Sequence, residues 1–201
     1  MNQFLNTFFG FLLISSAAWA DHAPWQNPQI NEINREPIHA HFIPYTNETN
    51  ALHQQALPPS ERFFVNPTAE RRITLNGTWK FLYARNDTLC PDNFHQTDYN
   101  TRPWKHINVP GSWELQGFDA PIYTDVSYPF PVNPPYVPTD YNPVGAYVRE
   151  FTVPAHWDGM DIFLDFEGVE SAFYCWVNGQ LVGYSEDSRL PAHFNITRFL
   201  K

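Results

Sequence analysis

Ser171-Ala172-Phe173-Tyr174-Cys175-Trp176-Val177-Asn178-Gly179-Gln180-Leu181-Val182-Gly183-Tyr184 decides the fold. Phe173, Tyr174, Trp176 and Val177 suit a pleated, half-buried surface. Asn178-Gly179 can hold positive φ at both central positions, which a two-residue hairpin turn requires. Gln180 to Tyr184 then reads as the return strand of an antiparallel hairpin.

Working towards the N-terminus, Asp161 to Phe166 alternates, with Ile162, Leu164 and Phe166 on one face. Asp165 and Glu167 share the other face, where solvent exposure is expected. Ala146 to Val153 alternates too, with Tyr147, Arg149, Phe151 and Val153 together. Ile73 to Tyr83 reads as two short strands around Asn76-Gly77, the second with Trp79, Phe81 and Tyr83 on an aromatic face. Trp104 to Val109 is a further short strand, and Pro110-Gly111 a turn. No segment has a sustained amphipathic helical pattern. Short strands separated by turns indicate an all-β fold, an antiparallel β-sandwich or jelly roll. Towards the C-terminus, Phe194 to Lys201 reads as the approach to a further element, so a chain truncated at its C-terminus is expected.

Three other regions complete the organisation. Met1 to Ala20 lacks Asp, Glu, Lys and Arg, and holds the apolar run Phe8 to Ile14. Ala18 and Ala20 form a small-x-small cleavage pattern. Residues 1–20 are read as a signal peptide, too short in its apolar run to span a bilayer. The mature protein is then exported, to a periplasm or outside the cell, with no membrane span. Residues 21–70 show little periodicity and read as an extended N-terminal arm, with Trp25, Phe42 and Tyr45 as anchors. Residues 71–201 hold the sandwich. Within it, 117–145 interleaves prolines with Tyr and Phe at a density no helix or central strand tolerates.

Composition bounds the chemistry. The 201 residues carry 12 Lys+Arg against 21 Asp+Glu, a formal net charge of −9. With no basic cluster to neutralise phosphates, a nucleic-acid partner is excluded. Two cysteines in so long a chain are no disulfide framework. Cys175, inside an apolar strand, is expected as a free thiol. His39 and His41 sit on one side of an extended segment without an evident third metal ligand.

Glycosidases work with paired carboxylates. Glu186 and Asp187 are adjacent, and neighbours on a strand point to opposite faces. No complete catalytic set is present. The aromatics are the stronger clue, because sugars offer apolar C–H faces beside hydroxyls. Trp113, Phe118, Tyr123, Tyr128, Phe130, Tyr136 and Tyr141 accompany Asp119 and Asp125, whose carboxylates can bond sugar hydroxyls. These rings equally serve to pin a long loop onto the sandwich, and both roles can hold together.

Asn27-Pro28 through Asn34-Arg35, Leu75 to Phe81 and Val109 to Trp113 resemble the opening of glycoside hydrolase family 2 β-galactosidases. The resemblance is strongest in Gly117-Phe118-Asp119-Ala120-Pro121-Ile122-Tyr123-Thr124 and Asn133-Pro134-Pro135-Tyr136-Val137-Pro138. It continues through Gly168 to Phe173, Trp176 to Gly179 and Gly183 to Pro191, and so covers nearly the whole mature chain.

It implies a jelly-roll sugar-binding domain at the N-terminus of a retaining β-galactosidase. Immunoglobulin-like domains and a barrel carrying the catalytic glutamates and the principal Mg2+ site would follow. This chain would then supply sugar-binding loops and no catalytic residue. Its partners would be a β-galactoside and the enzyme's downstream domains, in what is often a homo-oligomer. In the best-known members an Asn follows the Ile-Tyr-Thr run and contacts sugar; here that position is Asp125, which accepts but cannot donate as an amide does. A second sugar- and Na+-contacting Asp would lie beyond Lys201. Asn27 and Glu186 match two positions of an accessory Mg2+ site, but Pro24 replaces its Asp, and no metal is assigned to this chain. The rivals are a stand-alone carbohydrate-binding or adhesion module, and a glucuronidase or mannosidase of the same family.

Overall fold

The computed structural model describes residues 23–40, 42–58, 71–121, 128 and 130–201. The signal-peptide assignment, His41, Tyr123 and Asp125 lie outside them. Among the described residues there are eight strands: β1 (Glu32–Ile33), β2 (Gly77–Ala84), β3 (Lys105–Val109), β4 (Val144–Val148), β5 (Phe163–Phe166), β6 (Ala172–Val177), β7 (Gln180–Glu186) and β8 (Ala192–Asn195). They form sheets ordered β1-β7-β6, β3-β2-β4 and β5-β8. Every pairing is antiparallel. The fold is an all-β sandwich.

The β6–β7 hairpin closes as its sequence requires. Asn178 and Gly179 take φ of 51° and 82°, the doubly positive turn whose twist matches the strands it joins. The register passes from Cys175↔Gly183 to Trp176↔Leu181, so Val182 is the extra residue of a bulge. Val182 is 1% exposed and belongs to the core with Cys175 and Val177. Phe194 of β8 is 0% exposed and lies against the same face. Phe166, Phe173 and Phe194 meet there with ring centroids 4.7 to 6.2 Å apart. Sheet β5-β8 thus covers sheet β1-β7-β6, and burying the Phe194 ring contributes about 1.5–3 kcal/mol.

The segment N-terminal to the sandwich is tied to the edge of β7. β1 pairs with Tyr184 and Ser185. The Asn34 amide donates to the Val182 carbonyl at 2.9 Å, satisfying a group that the bulge leaves open. Arg35 donates to Ser185 Oγ and to the Glu186 carbonyl, and pairs with Glu32. The Glu36 N–H donates to the His193 carbonyl at 2.9 Å. Of the three rings expected as anchors, Trp25 and Tyr45 are partly buried, whereas Phe42 is 66% exposed.

Four local expectations change. Residues 73–75 form no strand: Gly77 takes φ 127°, but Asn76 does not take the positive φ that Asn178 takes in the β6–β7 turn. Instead Asn76 N–H bonds Thr74 Oγ1, and the Trp79 indole bonds the Leu75 carbonyl at 2.8 Å. β4 ends at Val148, though Phe151 and Val153 still pack on the core. The N-terminal segment contains a helix, α1 (Glu48–Gln55), capped by Asn47 and burying nothing, which no hydrophobic period announces. β8 follows Pro191 and carries a polar His193, so its sequence hides it; Asp165 of β5 is exposed as its alternation implies, and it meets buried His193 at 3.2 Å.

Candidate functional site

β2 and β4 pair through Tyr83↔Gly145, which fixes the returning end of the proline-rich loop. On that frame sits an aromatic floor. Phe81 is 1% exposed, and the rings of Phe118, Tyr147 and Trp113 lie 4.6, 4.7 and 6.0 Å from it. Trp113 also meets Tyr83 edge-on at 6.0 Å. Gly145 permits this seating: a Cβ there would stand 2.6 Å from the Trp113 ring.

Asp119 lies at the edge of the floor, with Gly117 at φ 87° and Asp119 itself at φ 63°. Asp tolerates this left-handed conformation better than most residues. Its Oδ2 accepts from the Tyr83 hydroxyl at 2.5 Å and the Tyr141 hydroxyl at 2.9 Å, and its Oδ1 from the Ala120 N–H at 2.9 Å. Arg85 lies 5.2 Å over the Tyr141 ring. Partial desolvation pushes the Asp119 carboxyl up, but the two phenols, the amide and the Arg85 charge outweigh it and hold the group below the usual carboxylate range. Desolvation first, then the Asp119 carboxylate, pushes the Tyr83 and Tyr141 phenols up, so they stay donors.

Of the residues that the sequence singles out, Asp119, Trp113, Phe118 and Tyr141 come together. Tyr128 and Tyr136 belong to the same loop but stay 66% and 54% exposed. The loop's rings thus divide into those that pin and those that face outward. Tyr83 and Arg85 escaped the sequence reading; an aromatic residue closing a strand carries no signal that a carboxylate 36 residues later will meet it.

The other candidates are engaged elsewhere. Asn27 Oδ1 accepts from the Gln29 N–H, Glu186 Oε1 accepts from the Tyr184 hydroxyl, and Pro24 is buried with no side-chain oxygen. These positions do not fit the accessory metal site. His39 stacks on His193 at 4.1 Å. Among the described residues no group of three or more His, Cys, Asp or Glu stands ready for a metal ion. Cys90 and Cys175 are free thiols. A general acid needs a raised pKa, whereas the Asp119 and Asp187 carboxyls both move down.

The model of the family "Glycosyl hydrolases family 2, sugar binding domain" matches residues 73–201. The β-galactosidase of Priestia megaterium is 42% identical over 179 residues, covering 87% of this chain and 16% of that enzyme. The β-galactosidase of Leuconostoc mesenteroides is 46% identical over 180 residues, covering 88% of this chain and 16% of that enzyme. The chain therefore spans about a sixth of the length of these curated relatives. Among solved structures, a Bacteroides uniformis β-glucuronidase 2 is 26% identical over 64% of this chain and 13% of its own, with a TM-score of 0.45.

Proposed function

The chain belongs to glycosyl hydrolase family 2, and from that premise we propose that it is the sugar-binding portion of an exported β-galactosidase. The parent enzyme releases terminal non-reducing β-D-galactose from β-galactosides with retention of anomeric configuration. These residues supply loops that engage the sugar. The catalytic carboxylates, the Mg2+ and any Na+ belong to the parent's other domains, so this chain alone does not turn substrate over.

The observation that carries the reading is the 42% and 46% identity to β-galactosidases along most of the chain. The site supports it in kind. An aromatic floor braces a loop whose outward groups are tyrosines, the pairing of flat apolar rings and polar tips that suits a sugar. Its one central carboxylate is held ionised, as a hydrogen-bond acceptor should be and a general acid should not. In this reading Asp125 reaches the sugar as an acceptor only, and residues 1–20 direct the enzyme out of the cytoplasm.

The test is to express the complete reading frame that holds these residues and follow hydrolysis of an aryl β-galactoside by proton NMR. Release of β-galactose as the first anomer supports the proposal. Release of α-galactose, or no hydrolysis beside binding by residues 21–201 alone, defeats it in favour of an inverting enzyme or a stand-alone binding module.

A further inference from the structure

We propose that Asp119 is a positioning residue, a clamp that fastens both arms of the proline-rich loop to the end of β2 while other groups of the loop meet the sugar. The proposal rests on the sugar-binding reading above. Its basis is where the donors come from. Tyr83 belongs to β2, Ala120 to the outgoing arm of the loop and Tyr141 to the returning arm. One carboxylate therefore joins three segments, with partners 36 and 22 residues away in sequence.

A carboxylate has about four acceptor positions, and three are occupied. A sugar hydroxyl approaching Asp119 must displace a phenol or use what is left. The geometry of the backbone agrees with a clamp. Gly117 and Asp119 both take positive φ, with Phe118 between them seated on Phe81 at 4.6 Å. The chain is turned on either side of a half-buried ring, and the carboxylate is aimed back at the frame. On the returning arm, the Asn142 N–H bonds the Arg85 carbonyl and Arg85 covers Tyr141. Both arms are thus fixed at the end of β2, and Tyr128 and Tyr136 between them stay exposed.

The clamp and a direct sugar contact predict different behaviour from the tyrosines. In the complete gene product, KM and kcat for an aryl β-galactoside are measured for Asp119→Ala, Tyr83→Phe, Tyr141→Phe and the Asp119→Ala/Tyr141→Phe pair. Amide hydrogen exchange of residues 137–143 is measured alongside. Tyr→Phe removes one hydroxyl and leaves the carboxylate in place, so it keeps the test valid even if Asp119→Ala fails to fold. Each tyrosine variant should raise KM about five-fold, the effect of one lost hydrogen bond. kcat should change less than about two-fold, and the double variant should be no worse than Asp119→Ala, because coupled residues are not additive. Exchange should accelerate in all variants. If Asp119→Ala raises KM and the tyrosine variants do not, the carboxylate touches sugar and the clamp is overturned. If exchange rises in every variant while KM stays fixed, the role is merely structural and the proposal also falls. A wild-type enzyme without β-galactoside hydrolysis refutes the sugar-binding reading itself, and the clamp's role in it.

Discussion

Gly183→Ala probes how the N-terminal segment holds to the sandwich. A Cβ at Gly183 would stand 2.3 Å from the Ile33 carbonyl oxygen and 2.6 Å from Phe194 Cε1. Ordinary contact begins near 3.4 Å, so each neighbour must retreat by about 1 Å, an overpacking. Phe194 is 0% exposed in a close-packed core and has nowhere to go. β1, two residues long, gives way instead. Its departure removes the Asn34, Arg35 and Glu36 bonds to β7 and β8, each worth about 0.5–1.5 kcal/mol net. Freed backbone entropy offsets part of that, about 1–2 kcal/mol per residue released. The net cost falls in the overpacking range of about 1–3 kcal/mol. At about 2–4 °C per kcal/mol for a chain of this size, Tm drops by roughly 2–12 °C. Hydrogen exchange supplies the specific readout. The Glu36 and Glu186 amides, bonded to the His193 and Asn31 carbonyls, should lose protection before the β6–β7 hairpin does. Unchanged protection at Glu36, with Tm within about one degree of wild type, refutes the reasoning.

Phe194→Ala leaves a cavity between the two sheets that no neighbour can fill, and should cost about 3–5 kcal/mol by denaturant unfolding. The Asp119 carboxyl is held below its ordinary value of 3.8, so its contribution to stability is present above that pH and is lost as pH falls through the lower folded value. Asp119→Asn should therefore close the gap in Tm to wild type as pH is taken from 5 towards 2, and a gap constant over that range contradicts the assignment. Burial pushes the Cys175 thiol up to about 12, and burial with Asp92 and Asp87 pushes Cys90 to about 11. A thiol reagent at pH 8 should react slowly with Cys90 and reach Cys175 only on unfolding; rapid native labelling of Cys175 would show that β5-β8 does not cover it.

The strands that the sequence displays are those whose alternation meets a core on one side. Phe173, Cys175 and Val177, or Leu164 and Phe166, announce themselves because their inward faces pack on Phe194. β8 does not, since its middle residue is a histidine made acceptable by Asp165, a partner 28 residues earlier. The failure at 73–75 is of another kind. Asn76-Gly77 is a sound hairpin signal locally, yet only Gly77 takes positive φ, so the doubly positive turn that closes β6–β7 does not form here. Of the site, Asp119 and the loop aromatics were legible as a composition: rings beside a carboxylate. What they do was not, because the carboxylate's donors, Tyr83 and Tyr141, come from distant segments. Of the aromatics, Trp113 and Phe118 are seen pinned on Phe81, while Tyr136 is seen facing solvent.

The central claim is that these residues serve a β-galactosidase, and substrate discrimination tests it most directly. The complete gene product is assayed for kcat/KM on aryl β-galactoside, β-glucuronide and β-mannoside under one set of conditions. The account predicts that the galactoside exceeds both others by at least about 100-fold, the scale that a site built to bond a sugar's own hydroxyls can reach. A preference for the glucuronide or mannoside would contradict it, and would assign this sugar-binding domain to another branch of the same family.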